Sequence, residues 1–144
     1  MKRLLELREY NFLYQKDIAK ILNVTRRAYT DYENSILNLS YDKLCIIADF
    51  YKVSTDYILE LTDKQEPHKL NEKYNITRLK ELRKTYNYSQ KDIAEKLETI
   101  QNGYSKYELG QRKIPISLLI KLSDIYNVSV DYLLSRTDVK DRYK

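Results

Sequence analysis

The chain has 144 residues, 42% of them apolar and 33% charged, with a formal net charge of +5. That balance excludes an intrinsically disordered chain, and no apolar run nears the roughly 18 residues a membrane span needs. A single cysteine excludes an intramolecular disulfide and fits a reducing, cytoplasmic setting.

Sliding the sequence by 75 residues lays 3–63 on 78–138 without a gap, with 24 of 61 positions identical. A repeat of that length holds a whole small domain rather than a solenoid unit. The expected organisation is a first domain at 1–63, a linker at 64–74, a second domain at 75–138 and a tail at 139–144. Pro67 and its polar neighbours mark the linker. Gly and Pro total only four, which argues for helices over tight turns. The charge is uneven: residues 1–63 carry 9 Lys/Arg against 10 Asp/Glu, and residues 75–144 carry 14 against 9. A basic excess on the second copy suits a polyanionic partner.

Each copy predicts five short helices. The first carries Leu4, Leu7 and Arg8, or Leu79, Leu82 and Arg83, along one edge. Breaks follow at 11–14 and 86–89. The second helix is expected at 15–22 and 90–97, where Ile18, Ala19 and Leu22 (Ile93, Ala94 and Leu97) recur at helical spacing. A three-residue break leads to a third at 26–34 and 101–109. A polar loop then precedes the fourth, at 41–51 and 117–126. The last opens at Ser54 or Ser129, both good N-caps.

The small Ala19 or Ala94 on one helix lets the next cross it closely, and the short break redirects the chain so that the next helix stands outward. Several motifs accompany this unit. They are Arg-(x)6-Gln (Arg8/Gln15, Arg83/Gln90), Gln-(x)2-Ile-Ala-(x)2-Leu, Tyr-x-x-Tyr-Glu (Tyr29-Tyr32-Glu33, Tyr104-Tyr107-Glu108) and a closing Val-Ser-x-Asp-Tyr-x-Leu. On these motifs both repeats resemble the Cro and phage-repressor (XRE-type) helix-turn-helix domains. The resemblance implies an all-α chain of two tandem five-helix, lambda-repressor-like domains that bind double-stranded DNA. It implies that Arg8 and Arg83 pair with Glu33 and Glu108 as structural ion pairs. Gln15 and Gln90 would reach a phosphate or the neighbouring third helix. Tyr29, Tyr32, Tyr104 and Tyr107 are expected as partly buried anchors whose hydroxyls reach water.

The readers implied in the first copy are Thr25, Arg26, Arg27, Thr30 and Asp31. In the second copy they are Gln101, Asn102, Ser105 and Lys106. Arg can hold guanine in a bidentate way, and Asn or Gln can do so to adenine. A solvated helix face is the alternative for both sets. Phe12 and Tyr14 stand where Gly or Asn and a Ser cap are usual, and Ser35 replaces a Gly. The second copy keeps Asn87, Ser89 and the loop 110–113, in which Gly110 can take φ > 0 while Arg112 and Lys113 reach a phosphate. Its expected defects are Glu98 in a left-handed position and Gly103, which should interrupt the third helix.

His68, the only histidine, falls in the expected linker, and Cys45 falls inside the fourth helix as a small buried residue. With no Gly-rich phosphate loop and no metal-ligand spacing, neither an enzyme nor a cofactor or metal site is expected. The reading is a sequence-specific transcriptional regulator, in the repressor sense, with two linked domains on two half-sites. The alternative is a protein-interaction or antitoxin-like module in which the first domain binds a protein. Its apolar surface would be Tyr57, Ile58 and Leu59 or Tyr132, Leu133 and Leu134 of the last helix, through which a homodimer or, in the DNA-binding reading, an intramolecular pseudo-dimer is also expected.

Overall fold

The computed structural model describes residues 2–66 and 78–140. Residues 67–74 of the expected linker and 141–144 of the expected tail lie outside the described residues. The described residues fall into two compact units, one on each side of 67–77.

The first unit runs α1 (Arg3–Tyr10), α2 (Gln15–Ile21), α3 (Arg26–Asn34), α4 (Tyr41–Tyr51) and α5 (Thr55–Ile58), with a 3-10 turn at Ile36–Asn38. The second runs α6 (Arg78–Thr85), α7 (Gln90–Lys96), α8 (Gln101–Glu108), α9 (Ile116–Tyr126) and α10 (Val130–Leu133). No strand occurs among the described residues. The all-α, five-helix expectation therefore holds for each repeat. In the first unit Leu4, Ile18, Ala19, Tyr29, Leu44, Ile47 and Ile58 are buried together, and Leu79, Ile93, Ala94, Tyr104, Leu119, Leu122 and Leu133 do the same in the second. Removing such side chains from water is the main favourable term for units this small.

The scarcity of glycine does not mean a scarcity of tight turns. Phe12, Asn23, Lys52, Glu60, Asn87, Glu98, Asn127 and Ser135 all have φ between 51° and 61°. At each, the residue and its successor return hydrogen bonds to the preceding helix. Asn23 N–H donates to the Lys20 carbonyl at 3.1 Å and Val24 N–H to the Ala19 carbonyl at 2.9 Å. These two bonds satisfy carbonyls that the helix end would otherwise leave unpaired. Asn bears the left-handed backbone at three of these positions, but Phe12, Lys52, Glu60, Glu98 and Ser135 bear it without that help.

Three expectations need correction. Gly103 does not interrupt its helix, since α8 is continuous through it. Tyr29 and Tyr104 do not send their hydroxyls to water; both are 0% exposed, and burial pushes both hydroxyl pKa values up. The apolar residues expected as a surface on the last helices are mostly core: Tyr57, Ile58, Leu59, Leu133 and Leu134 are buried, and Tyr132 is half-buried.

Each unit also extends past the end of the sequence repeat. Ser54 N–H donates to the Gln65 carbonyl at 3.2 Å, and Ser129 N–H donates to the Lys140 carbonyl at 3.1 Å. Gln65 further donates to the Tyr57 hydroxyl at 3.1 Å. At the same end, Arg3 pairs with Asp63 at 2.6 Å and lies over the Tyr57 ring. Arg78 repeats this with Asp138 and the Tyr132 ring. The start and end of each unit are thereby tied together.

Candidate nucleic-acid interface

The helix pairs α2–α3 and α7–α8 are held by the same three residues. Arg8 Nε donates to Glu33 Oε1 at 2.5 Å and its Nη1 donates to the Leu13 carbonyl at 3.0 Å. Gln15 Nε2 donates to Glu33 Oε2 at 3.0 Å. In the second unit Arg83 donates to Glu108 at 2.6 Å and to the Tyr88 carbonyl at 3.0 Å, and Gln90 donates to Glu108 at 3.0 Å. The Glu33 and Glu108 side chains are only 7% and 3% exposed. Burial works to raise both carboxyls. The hydrogen bonds from Arg and Gln outweigh it and hold them below the usual carboxylate range.

In this cluster Gln15 and Gln90 each reach the third helix of their own unit. In the first unit the Thr30 hydroxyl also donates to Gln15 Oε1 at 3.0 Å. Both glutamines therefore fix helix orientation through side-chain bonds. They open α2 and α7, whose first turns differ. Ser89 accepts from Asp92 N–H at 3.0 Å while Ser89 N–H donates to the Asp92 carboxylate at 2.8 Å. Tyr14 N–H donates to Asp17 at 2.8 Å, and the tyrosine side chain supplies no cap.

With the helix held from behind, its first turn is left outward. Thr25 caps α3 by accepting from Ala28 N–H at 3.1 Å. Thr25, Arg26, Arg27 and Asp31 are exposed and Thr30 is half-buried. On α8, Gln101, Asn102 and Lys106 are exposed and Ser105 is half-buried. Arg26 also lines an open cleft with Arg8, Tyr14, Gln15 and Lys16. Four exposed acidic residues, Glu6, Glu9, Glu60 and Asp63, belong to α1 and the end of the unit, while the α3 face carries the exposed Asp31 beside Arg26 and Arg27.

After α8, Gly110 takes φ +71°, and Gln111 N–H donates to the Lys106 carbonyl at 3.0 Å. This turn leaves Gln111, Arg112 and Lys113 exposed. In the first unit Ser35 is extended, with φ −148°, and the chain enters the 3-10 turn instead. The basic loop is thus present on one unit and absent from the other. Two exposed apolar residues flank α8: Ile100, 72% exposed, which sequence reasoning passed over, and Leu109, 66% exposed, which stands where the first copy has the polar Asn34. The signal for the first was available, because its counterpart Thr25 stands among the expected readers.

The described residues hold no cluster of His, Cys, Asp and Glu able to bind a metal ion, and no helix long and apolar enough to cross a membrane.

Comparison with known proteins gives the same division of the chain. The family described as Helix-turn-helix matches at residues 4–58 and again at 79–133. The HTH-type transcriptional regulator ImmR of Bacillus subtilis (strain 168) is 46% identical over 65 residues, covering 45% of this chain and 51% of ImmR. From the same organism, the HTH-type transcriptional regulator AnsR is 36% identical over 66 residues, covering 46% of this chain and 57% of AnsR. The chain spans about half the length of these curated relatives. No solved structure gives a significant match. With both repeats matched over most of their length, the chain belongs to the Helix-turn-helix family, as two domains in tandem that are homologous to those of XRE/Cro-like transcriptional regulators.

Proposed function

We infer that this chain is a transcriptional regulator that reads two unlike half-sites of double-stranded DNA, one with the first turn of α3 and one with the first turn of α8. The observation that carries the reading is the repeated Arg–Glu–Gln cluster. It holds each third helix from its buried side and leaves Arg26 and Arg27, or Gln101 and Asn102, outward. A helix so placed presents its N-terminal residues to base edges in the major groove. Arg26 and Arg27 have the donor pattern for guanine, and Gln101 and Asn102 the pattern for adenine. Thr30, Asp31, Ser105 and Lys106 border those turns. Arg112 and Lys113, on the loop after α8, supply phosphate contacts to the second domain.

Covalent linkage makes the second binding event intramolecular, so affinity rises by effective concentration without a new contact. Because α3 and α8 differ at every reading position, the preferred site is asymmetric. Its expected sense is repression, by occluding the DNA it covers, in the cytoplasm. A protein partner for the first domain has one observation in its favour: Tyr10, Phe12 and Tyr14, at the end of α1 and in the link to α2, are 83%, 92% and 69% exposed.

Selection of duplexes from a random pool by the whole chain tests the reading. It predicts an enriched site with two different halves. Failure to enrich any duplex, together with capture of a protein through the first domain, would replace it with the interaction reading.

A further inference from the structure

We propose that Ile100 reads the 5-methyl group of a thymine in the half-site of the second domain, an inference that rests on the DNA-reading function above. Ile100 is the N-cap of α8, with an extended backbone at φ −91° and ψ 149° and no capping bond from its side chain. Isoleucine is among the poorest residues for this position. Its counterpart Thr25 does cap its helix, accepting from Ala28 N–H at 3.1 Å. Nor does Ile100 serve the core, because it is 72% exposed. Neither helix capping nor burial accounts for a branched apolar side chain here.

Its surroundings suit a groove contact. Ile100 Cγ1 lies 3.5 Å from the point where a Cβ on Gly103 would stand, so the side chain lies along the first turn of α8. Gln101 and Asn102 follow directly and are exposed. A recognition helix enters the major groove by its N-terminal end, so its cap residue travels with its first turn. The floor of that groove offers hydrogen-bonding atoms at every base, but thymine alone adds an apolar group, the 5-methyl. An isoleucine beside two adenine-type readers therefore selects a thymine within an A·T-rich half-site.

The test uses the duplex enriched by the whole chain. Each thymine of the second half is replaced in turn by deoxyuridine, which removes the methyl group and keeps every hydrogen-bonding atom. Burial of one methyl corresponds to about a fourfold change in affinity. One position should therefore bind the chain about fourfold more weakly, and Ile100→Ser should bind the thymine and deoxyuridine duplexes there alike. Serine is a good N-cap, and a thermal melt of the variant confirms that it folds. If no thymine responds, or if the response persists in Ile100→Ser, the assignment is wrong while DNA reading stands. If no duplex is enriched at all, both fall. If Ile100→Ser weakens every duplex alike, the residue supports the helix without reading a base, and the assignment again fails.

Discussion

Glu33→Gln should weaken the first unit while leaving the second intact. The substitution keeps the size of the side chain and removes its charge. It leaves the Arg8 guanidinium facing a neutral amide where it now makes contacts at 2.5 and 3.3 Å. The two side chains are 13% and 7% exposed, so the pair counts as buried. Breaking such a pair from one side costs about 3–5 kcal/mol. Arg8 keeps its bond to the Leu13 carbonyl, which places the cost at about 2–3 kcal/mol. A unit of about 60 residues holds roughly 3–9 kcal/mol in all, so the loss is a large fraction of it. Hydrogen exchange read by mass spectrometry reports each unit separately and makes the second unit an internal control.

The gap between wild type and variant should also depend on pH with a definite sign. Glu33 has a folded-state pKa below its unfolded value, net of a burial effect that opposes the shift. Its stabilisation is therefore complete above about pH 4.3 and disappears as the pH falls through the lowered folded value. The gap should stay level from pH 5 to 8 and narrow below pH 4. A cost under about 1 kcal/mol, an equal loss of protection in both units, or a gap that widens in acid would refute the reasoning.

Gly103→Ala should stabilise the second unit by about 0.5–1 kcal/mol in urea denaturation, because the new Cβ meets only ordinary contacts in a continuous helix. A destabilised variant would mean that the position needs glycine for another reason. Phe12→Asn should raise the melting point of the first unit by relieving about 1 kcal/mol of left-handed strain, since Asn87 already holds the same φ in the second. No gain would show that Phe12 contributes as much through contacts as it costs in backbone. Arg112→Ala should weaken binding to all duplexes alike and lower the salt slope by about one ion, in a titration at several salt concentrations. A loss confined to one sequence would instead make Arg112 a base reader.

The parts of the fold written in side chains were legible in the sequence. The Arg8–Glu33 and Arg83–Glu108 pairs and the caps at Ser54 and Ser129 each depend on a residue type at a fixed spacing. The parts carried by backbone were not. Gln65 and Lys140 share no identity, yet their carbonyls close the two units in the same way. Phe12, Lys52, Glu60 and Ser135 adopt left-handed angles that their side chains disfavour, because the carbonyls behind them need donors. Apolar residues at 57–59 read equally well as core or as docking surface until their neighbours are known; the structure makes them core. On the candidate interface, the rule that readers are polar hid Ile100.

The central claim is that α3 and α8 each read their own half of one site. The most direct measurement scrambles one half of the selected duplex at a time and titrates the whole chain, Arg26→Ala and Asn102→Ala against each form. The account predicts that scrambling either half weakens the unsubstituted chain. It further predicts that Arg26→Ala loses its response to one half only, and Asn102→Ala to the other only. Two variants that lose response to the same half, or a duplex in which only one half matters, would contradict it.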